Sequence, residues 1–216
     1  MITHNDQLDL FRLISMNINE DVECYAFGGT AMMFYGYKDE TKDIDLLFEN
    51  EKGRKAFIEA IEKLGFKESS PFNLYNIKKL TLKKGKPVMY KKEDARFDLF
   101  SGTVFKTRLS PAMKEDVYAT QEFKNKKILK LNVLRKEQIV FMKSVTDRKN
   151  DFEDALKIIE RDKDFNWGYF VKEAKWQYEN GNDWALLDAE KMMQELKEYV
   201  FIPEKYFKEI YKARKE

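Results

Sequence analysis

The chain has very few of the residues from which several common kinds of site are built. Its 216 residues include one histidine, His4, and one cysteine, Cys24. A zinc site needs several such ligands and a serine–histidine–aspartate triad needs a histidine base, so the sequence argues against both. One cysteine also excludes an intramolecular disulfide, and its neighbours Val22 and Tyr25 predict a buried structural thiol.

Long apolar runs are missing as well. No stretch is long and apolar enough to predict a membrane span, and the start lacks a basic segment followed by an apolar core. We therefore expect a cytoplasmic protein that has no membrane partner.

The sequence also lacks a large excess of positive or negative charge, because it contains 40 Lys and Arg residues and 38 Asp and Glu residues, which give a net charge of +2. This balance does not predict general nucleic-acid binding. The densest basic cluster consists of Lys124, Lys126, Lys127 and Lys130. No aromatic residue interleaves with it, so a solvated edge strand is favoured, with a nucleic-acid contact as the alternative.

What the sequence does contain is a glycine pair, Gly28-Gly29, between two apolar segments. Residues 25–27 predict a short buried strand, the glycines permit a tight turn, and residues 30–35 are typical of a packed helix. The N–H groups at such a helix start, with the positive end of its dipole, can bind phosphate.

Two aspartates, Asp43 and Asp45, follow in a segment typical of a strand. Residues two apart on a strand leave the same face, so the two carboxylates lie side by side while Ile44 and Leu46 point the other way. Such carboxylates repel each other unless a cation lies between them. Mg²⁺ bound through carboxylates and substrate phosphates is the common solution.

Periodicity predicts the remaining elements. The pattern is helical near both ends and alternates with period two between about residues 66 and 133. We expect a helix over about 5–17, with Leu8, Phe11, Leu13 and Ile14 toward a core, and a second helix capped by Asn50 and stopped by Gly65. The middle of the chain predicts a hairpin over 74–90, a strand over 95–100, a short helix capped by Ser110, and strands over 117–121 and 127–133. Beyond residue 134 we expect helices.

The glycine pair with Thr30 and the later Asp43-x-Asp45 together resemble the signature of the nucleotidyltransferase superfamily, whose members share a polymerase-β-like palm. The finer spelling, with Gly36 and the run 41–46, is similar to the small prokaryotic branch that includes the toxin nucleotidyltransferases of toxin–antitoxin pairs. The implied fold class is α+β, a nucleotidyltransferase-like mixed sheet flanked by helices and followed by a C-terminal helical bundle. We place the palm-like domain at 1–133 and the helical domain at 134–216.

The resemblance also implies a third carboxylate, which we assign to Asp98 because it follows the Asp43 strand and a hairpin. Glu93 and Asp94 are the runners-up. Farther along, Lys143 and the segment 148–154 resemble the same relatives, in which Lys143 would contact a phosphate and Asp151 would position that lysine or the substrate. An ordinary charged helix–turn–helix is the alternative for this segment.

The implied activity is Mg²⁺-dependent transfer of a nucleoside monophosphate from an NTP, such as ATP, to a hydroxyl of a tRNA, a protein or a small molecule. The resemblance implies two Mg²⁺ ions on Asp43, Asp45 and Asp98, and a cognate antitoxin as partner. Gly28, Gly29, Thr30 and Lys143 would contact the phosphates. Two alternatives stay open, a non-catalytic module that binds a nucleotide or a partner, and a plain α/β structural protein.

Overall fold

The computed structural model describes residues 1–69, 86–146 and 148–215, which form nine helices and eleven strands. This confirms the expected α+β class. The predicted hairpin over 74–90 falls largely outside the described residues. The helices are α1 (His4–Ser15), α2 (Gly28–Phe34), α3 (Glu51–Lys63), α4 (Pro111–Glu115), α5 (Lys136–Ser144), α6 (Lys149–Arg161), α7 (Trp167–Glu179), α8 (Ala185–Leu196) and α9 (Glu204–Ala213).

The strands form one mixed sheet and one small two-stranded sheet, β1 with β3. Along the main sheet the order is β10-β11-β2-β4-β7-β6-β5, and off this path β8 pairs with β7 and β9 pairs with β8. The pairs β11–β2 and β4–β7 are parallel, and the other pairs are antiparallel. The bounds are β1 (Ile2–Thr3), β2 (Val22–Ala26), β3 (Glu40–Thr41), β4 (Asp43–Phe48), β5 (Lys67–Ser69), β6 (Val88–Lys92), β7 (Ala95–Ser101), β8 (Thr103–Val104), β9 (Thr107–Arg108), β10 (Ala119–Lys124) and β11 (Ile128–Val133).

The described chain divides into two compact units. Unit 1 comprises Met1–Leu109 and Val117–Leu134, and unit 2 comprises Ser110–Asp116 and Arg135–Glu216. The division after Leu134 lies one residue from the boundary expected from periodicity. Residues 110–116, which we had placed in the first domain, belong to the helical unit, because the buried Ser110 hydroxyl donates to Glu173 Oε2 at 2.9 Å.

Aromatic packing anchors the core of unit 1. The Phe57 ring of α3 is fully buried between Phe48 of β4 and Phe97 of β7, at centroid distances of 5.3 and 5.5 Å. The predicted cap of this helix is confirmed, since the Asn50 side chain accepts the Gly53 N–H at 3.0 Å. This packing holds β4 and β7 in place from the face opposite the candidate site.

Helix α1 shows one error in the predicted core. Phe11 and Ile14 are fully buried, but Leu13 is 49% exposed. At about 100° per residue, Leu13 lies about 200° from Phe11 around the helix and therefore faces away from the sheet.

The predicted burial of Cys24 is confirmed, and burial raises the pKa of its thiol.

Unit 2 contains the remaining helices. Within it α5 packs against α6, α7 and α8, and α9 packs against α7 and α8. The buried side chains include Phe141, Phe170 and Met193, but Trp184, which lies in one of the apolar stripes typical of a helix core, is 54% exposed. Among the described helices, none combines the length and the apolar character that crossing a bilayer requires.

Replacing Phe57 by Ala should lower the free energy of unfolding by about 3–5 kcal/mol, because it leaves a cavity between two further rings. Leu13→Ala, which removes an exposed side chain, should change it by less than about 0.5 kcal/mol. Urea denaturation measures both. A similar loss for the two variants would contradict the assigned packing.

Candidate functional site

The parallel pairing of β4 with β7 brings four charged side chains onto one face of the sheet. In this register Asp43 lies beside Arg96 and Asp45 lies beside Asp98. Paired residues on neighbouring parallel strands point to the same side, and residues two apart on one strand share that side. The structure thus brings together the three carboxylates that the sequence pointed to. We call this set, Asp43, Asp45, Arg96 and Asp98, the acidic face.

Arg96 bridges two carboxylates of the acidic face. Its Nε lies 3.0 Å from Asp98 Oδ1, and its Nη2 lies 3.3 Å from Asp98 Oδ2. The same Nη2 also contacts Asp43 Oδ2. Asp98 is only 2% exposed, so the pairing with a cation is what makes a charged carboxylate tolerable at this depth.

Asp43 has a raised pKa because of its surroundings on the acidic face. Burial raises the pKa of Asp43, and the nearby Asp98 adds to that rise, while Arg96 opposes it without cancelling it. The guanidinium that Asp43 shares with Asp98 therefore does not fully offset the desolvation of Asp43 and its repulsion by Asp98.

The glycine turn lies directly against the acidic face. Gly28 has φ of +56°, and a Cβ on it would lie 2.8 Å from Asp45 Oδ2. A Cβ on Gly29 would lie 2.7 Å from Thr41 Oγ1. The positive φ favours glycine at position 28, and at both positions an added Cβ would have to displace a neighbouring side-chain oxygen.

Thr30 ties this turn to β4 through a fully buried hydroxyl. Thr30 Oγ1 accepts the Asp45 N–H at 2.8 Å and lies 3.5 Å from the Asp43 carbonyl oxygen. The hydroxyl thus positions the backbone that carries both aspartates. Because it is buried and bonded to backbone, we remove it from the phosphate contacts expected from the sequence.

The runners-up for the third carboxylate lie elsewhere. Glu93 and Asp94 form the exposed turn that joins β6 to β7, next to the pair Lys92–Ala95. Asp98 is the acidic residue of β7 that lies in register with Asp45. The geometry therefore favours Asp98 over both.

The comparisons with known proteins are negative: no protein-family model matches the chain, and no curated protein matches it.

The chemistry of the acidic face suits a divalent cation, since carboxylate oxygens are the ligands that Mg²⁺ prefers. A cationic group, the Arg96 guanidinium, already lies between Asp43 and Asp98. Among residues 1–69, 86–146 and 148–215, no group of three or more His, Cys, Asp or Glu side chains is arranged to hold a metal ion. The residues of the acidic face suit such an ion by donor type only, because in this arrangement Asp43 and Asp98 are paired with Arg96 and the carboxylates do not form a site for a metal.

Arg96 is the one member of the acidic face that the sequence reasoning missed. The sequence did indicate the position of this side chain, because Arg96 lies two residues before Asp98 in a predicted strand and so shares its face. We considered only carboxylates there, and the positive partner was overlooked.

Lys143 and Asp151 are brought together within unit 2. Lys143 Nζ lies 3.0 Å from Asp151 Oδ1 and 2.7 Å from Asp154 Oδ2, and both Lys143 and Asp151 are buried. Arg148 Nε donates to Asp151 Oδ2 at 2.6 Å, and the Thr146 hydroxyl also contacts that oxygen. Burial raises the pKa of Asp151, but Lys143, Arg148 and Thr146 outweigh it and hold the pKa below its ordinary value.

Thr30→Val should lower the free energy of unfolding by about 1–3 kcal/mol, because the shape is kept while the buried Asp45 N–H loses its acceptor. Thr30→Ser keeps that oxygen and should cost clearly less. Urea denaturation of the two variants is the measurement. A loss in Thr30→Val no larger than that in Thr30→Ser would contradict the importance of this hydrogen bond, because the Val variant keeps the methyl group and lacks only the hydroxyl.

Asp151→Asn should lower the free energy of unfolding by about 1–3 kcal/mol at pH 7. The folded-state pKa is lowered, so the stability that Asp151 contributes is present above the unfolded value of 3.8 and is lost as the pH falls through the folded value. The difference from the parent protein should therefore shrink below about pH 4 in urea titrations. Glu153→Gln, at an exposed neighbouring position, serves as the control, and a deficit that does not change with pH would contradict the ionic role.

Proposed function

We propose that this protein is a Mg²⁺-dependent nucleotidyltransferase that moves a nucleoside monophosphate from an NTP to an acceptor hydroxyl. One observation carries the proposal, namely that Asp43, Asp45 and Asp98 share one face of two parallel strands against the Gly28 turn. Phosphoryl transfer needs mainly positioning and charge neutralisation, and this face provides carboxylates in a fixed frame for both.

The connection of elements supports a nucleotidyltransferase-like palm with a C-terminal helical bundle as the proposed fold. The antiparallel strands β2 and β4 are joined through the glycine turn and α2, and β7 then pairs parallel to β4. This order matches the strand–turn–helix–strand context in which the resemblance places the glycine pair and the two aspartates.

In the proposed site Asp43, Asp45 and Asp98 would hold two Mg²⁺ ions, which when bound supply Lewis-acid activation of the acceptor hydroxyl and neutralise the triphosphate. Asp98 is the proposed base for the acceptor proton. The Gly28 and Gly29 backbone N–H groups are the proposed phosphate donors beside Asp45, and Thr30 holds that backbone in position.

The resemblance is the reason for including Lys143 and Asp151 in the proposal as nucleotide-binding residues. Asp151 Oδ1 lies 3.0 Å from Lys143 Nζ, which supports a positioning role for Asp151. The Lys143 ammonium is also paired with Asp154, so a phosphate contact would have to use its third N–H or replace one of these two carboxylates.

The proposed acceptors are a tRNA, a protein or a small molecule, all of which carry a suitable hydroxyl. A role as the toxin of a toxin–antitoxin pair, with a cognate antitoxin as partner, is part of the same proposal and has its origin in the resemblance.

One observation favours a second candidate function, a non-catalytic module of the same fold that binds a nucleotide or a partner. Arg96 already pairs with both Asp43 and Asp98, and this pairing requires no metal. A face that supplies its own cation could be a purely structural arrangement in a protein that has lost the chemistry.

The test is to incubate the purified protein with each α-labelled NTP, Mg²⁺ and either total RNA or cell lysate. We expect label to be transferred to one class of macromolecule, and Asp45→Asn to reduce this transfer by more than about a hundredfold, because it removes a charged oxygen ligand. The double variant Asp43→Ala/Asp45→Ala should abolish transfer.

Asp94→Asn, on the exposed turn before β7, is the matched control and should leave transfer unchanged. Mg²⁺-dependent NTP binding without any transfer would support the non-catalytic module. Transfer that survives Asp45→Asn would refute the assignment of the acidic face.

A further inference from the structure

The position between Asp43 and Asp98 is already a cation site. The planar guanidinium of Arg96 directs two nitrogens at the two Asp98 oxygens, at 3.0 and 3.3 Å, and the outer nitrogen also reaches Asp43. Such a fork makes the strongest class of hydrogen bond that a carboxylate accepts in proteins. The pairing is therefore specific and not a loose surface contact.

Burial strengthens the pairing of Arg96 with Asp43 and Asp98. The side chains of Arg96, Asp43 and Asp98 are 19%, 27% and 3% exposed, so solvent screens their interaction only weakly. The same two carboxylates cannot offer their oxygens to Arg96 and to a divalent ion at full strength. The guanidinium and a metal ion thus compete for the same acceptor atoms.

We propose that Arg96 is a positioning residue that takes the place of a divalent cation on the acidic face, and that metal binds only when Arg96 releases Asp43 and Asp98. This inference rests on the proposed function and adds its regulation. Without metal, Arg96 pairs with both carboxylates on their shared face and reduces their repulsion. Once released, the guanidinium would be available to pair with phosphate charge.

The partial exposure of Arg96 fits this exchange. Asp98 is held rigidly at the centre of β7, but the Arg96 side chain retains contact with solvent. A long side chain at the open side of the face can leave without disturbing the strand, whereas a fully enclosed one could not.

The test is metal affinity, measured on the full chain with Mn²⁺ alone as a spectroscopically visible substitute for Mg²⁺. Arg96→Gln should bind Mn²⁺ at least about tenfold more tightly than the parent protein, the factor that corresponds to one lost hydrogen bond between charged groups. Arg96→Lys keeps the charge but loses the fork and should lie between the two. Arg12→Gln, whose parent side chain pairs with the exposed Asp9, is the matched control and should not change the affinity.

A stability readout covers the case in which the Gln variant folds poorly. Without metal, Arg96→Gln should unfold at a lower temperature than the parent, because Asp43 and Asp98 then repel each other, and Mn²⁺ should restore more of its stability than it adds to the parent. A variant that gains no more from Mn²⁺ than the parent does would overturn the inference. So would a variant with equal or weaker Mn²⁺ affinity.

The label-transfer assay on the same preparations separates this inference from the proposed function. Equal Mn²⁺ affinities in a protein that still transfers label overturn the role of Arg96 alone. A parent protein that neither binds Mn²⁺ nor transfers label overturns the proposed function together with this inference.

Discussion

Like charges on one face of two parallel strands cannot remain there without a cation, and this constraint organises unit 1. Asp43 and Asp98 meet it by sharing the guanidinium of Arg96, which lies on the same face two residues before Asp98. An arginine is suited to this because its planar fork can serve two carboxylates at once. The arrangement is stable only while β4 and β7 keep their register, and the rings of Phe48, Phe57 and Phe97 on the opposite side secure it.

The glycine turn depends on the same register. Gly28 lies so near Asp45 that any side chain there would collide with the carboxylate, and the buried Thr30 hydroxyl fastens the turn to the Asp45 N–H. Backbone and carboxylate are therefore held together by steric fit and one hydrogen bond. This arrangement exposes a candidate anion-binding backbone beside a candidate cation-binding face, which is the combination that a metal-bound triphosphate requires.

Unit 2 contains a second cluster of charged side chains, which is centred on a buried lysine. Lys143 is enclosed by Asp151 and Asp154, and Arg148 and Thr146 complete the partners of Asp151. A buried lysine with two carboxylate partners joins the start of α6 to the end of α5. Its stabilising effect explains these residues without a ligand, so their participation in nucleotide binding is the part of the proposal that depends most on resemblance.

The sequence by itself determined the α+β class, the caps at Asn50 and Ser110, the strand that carries Asp43 and Asp45, and the turn at Gly28, because each follows from local periodicity or from the conformational limits of one residue. The exposure of Leu13 was missed because a stripe of apolar residues was assigned without its angle. Only the tertiary structure decided that Asp98 lies beside Asp45 and that Arg96 neutralises it. Strand pairing joins residues more than fifty positions apart, and no local pattern specifies the register in which they meet.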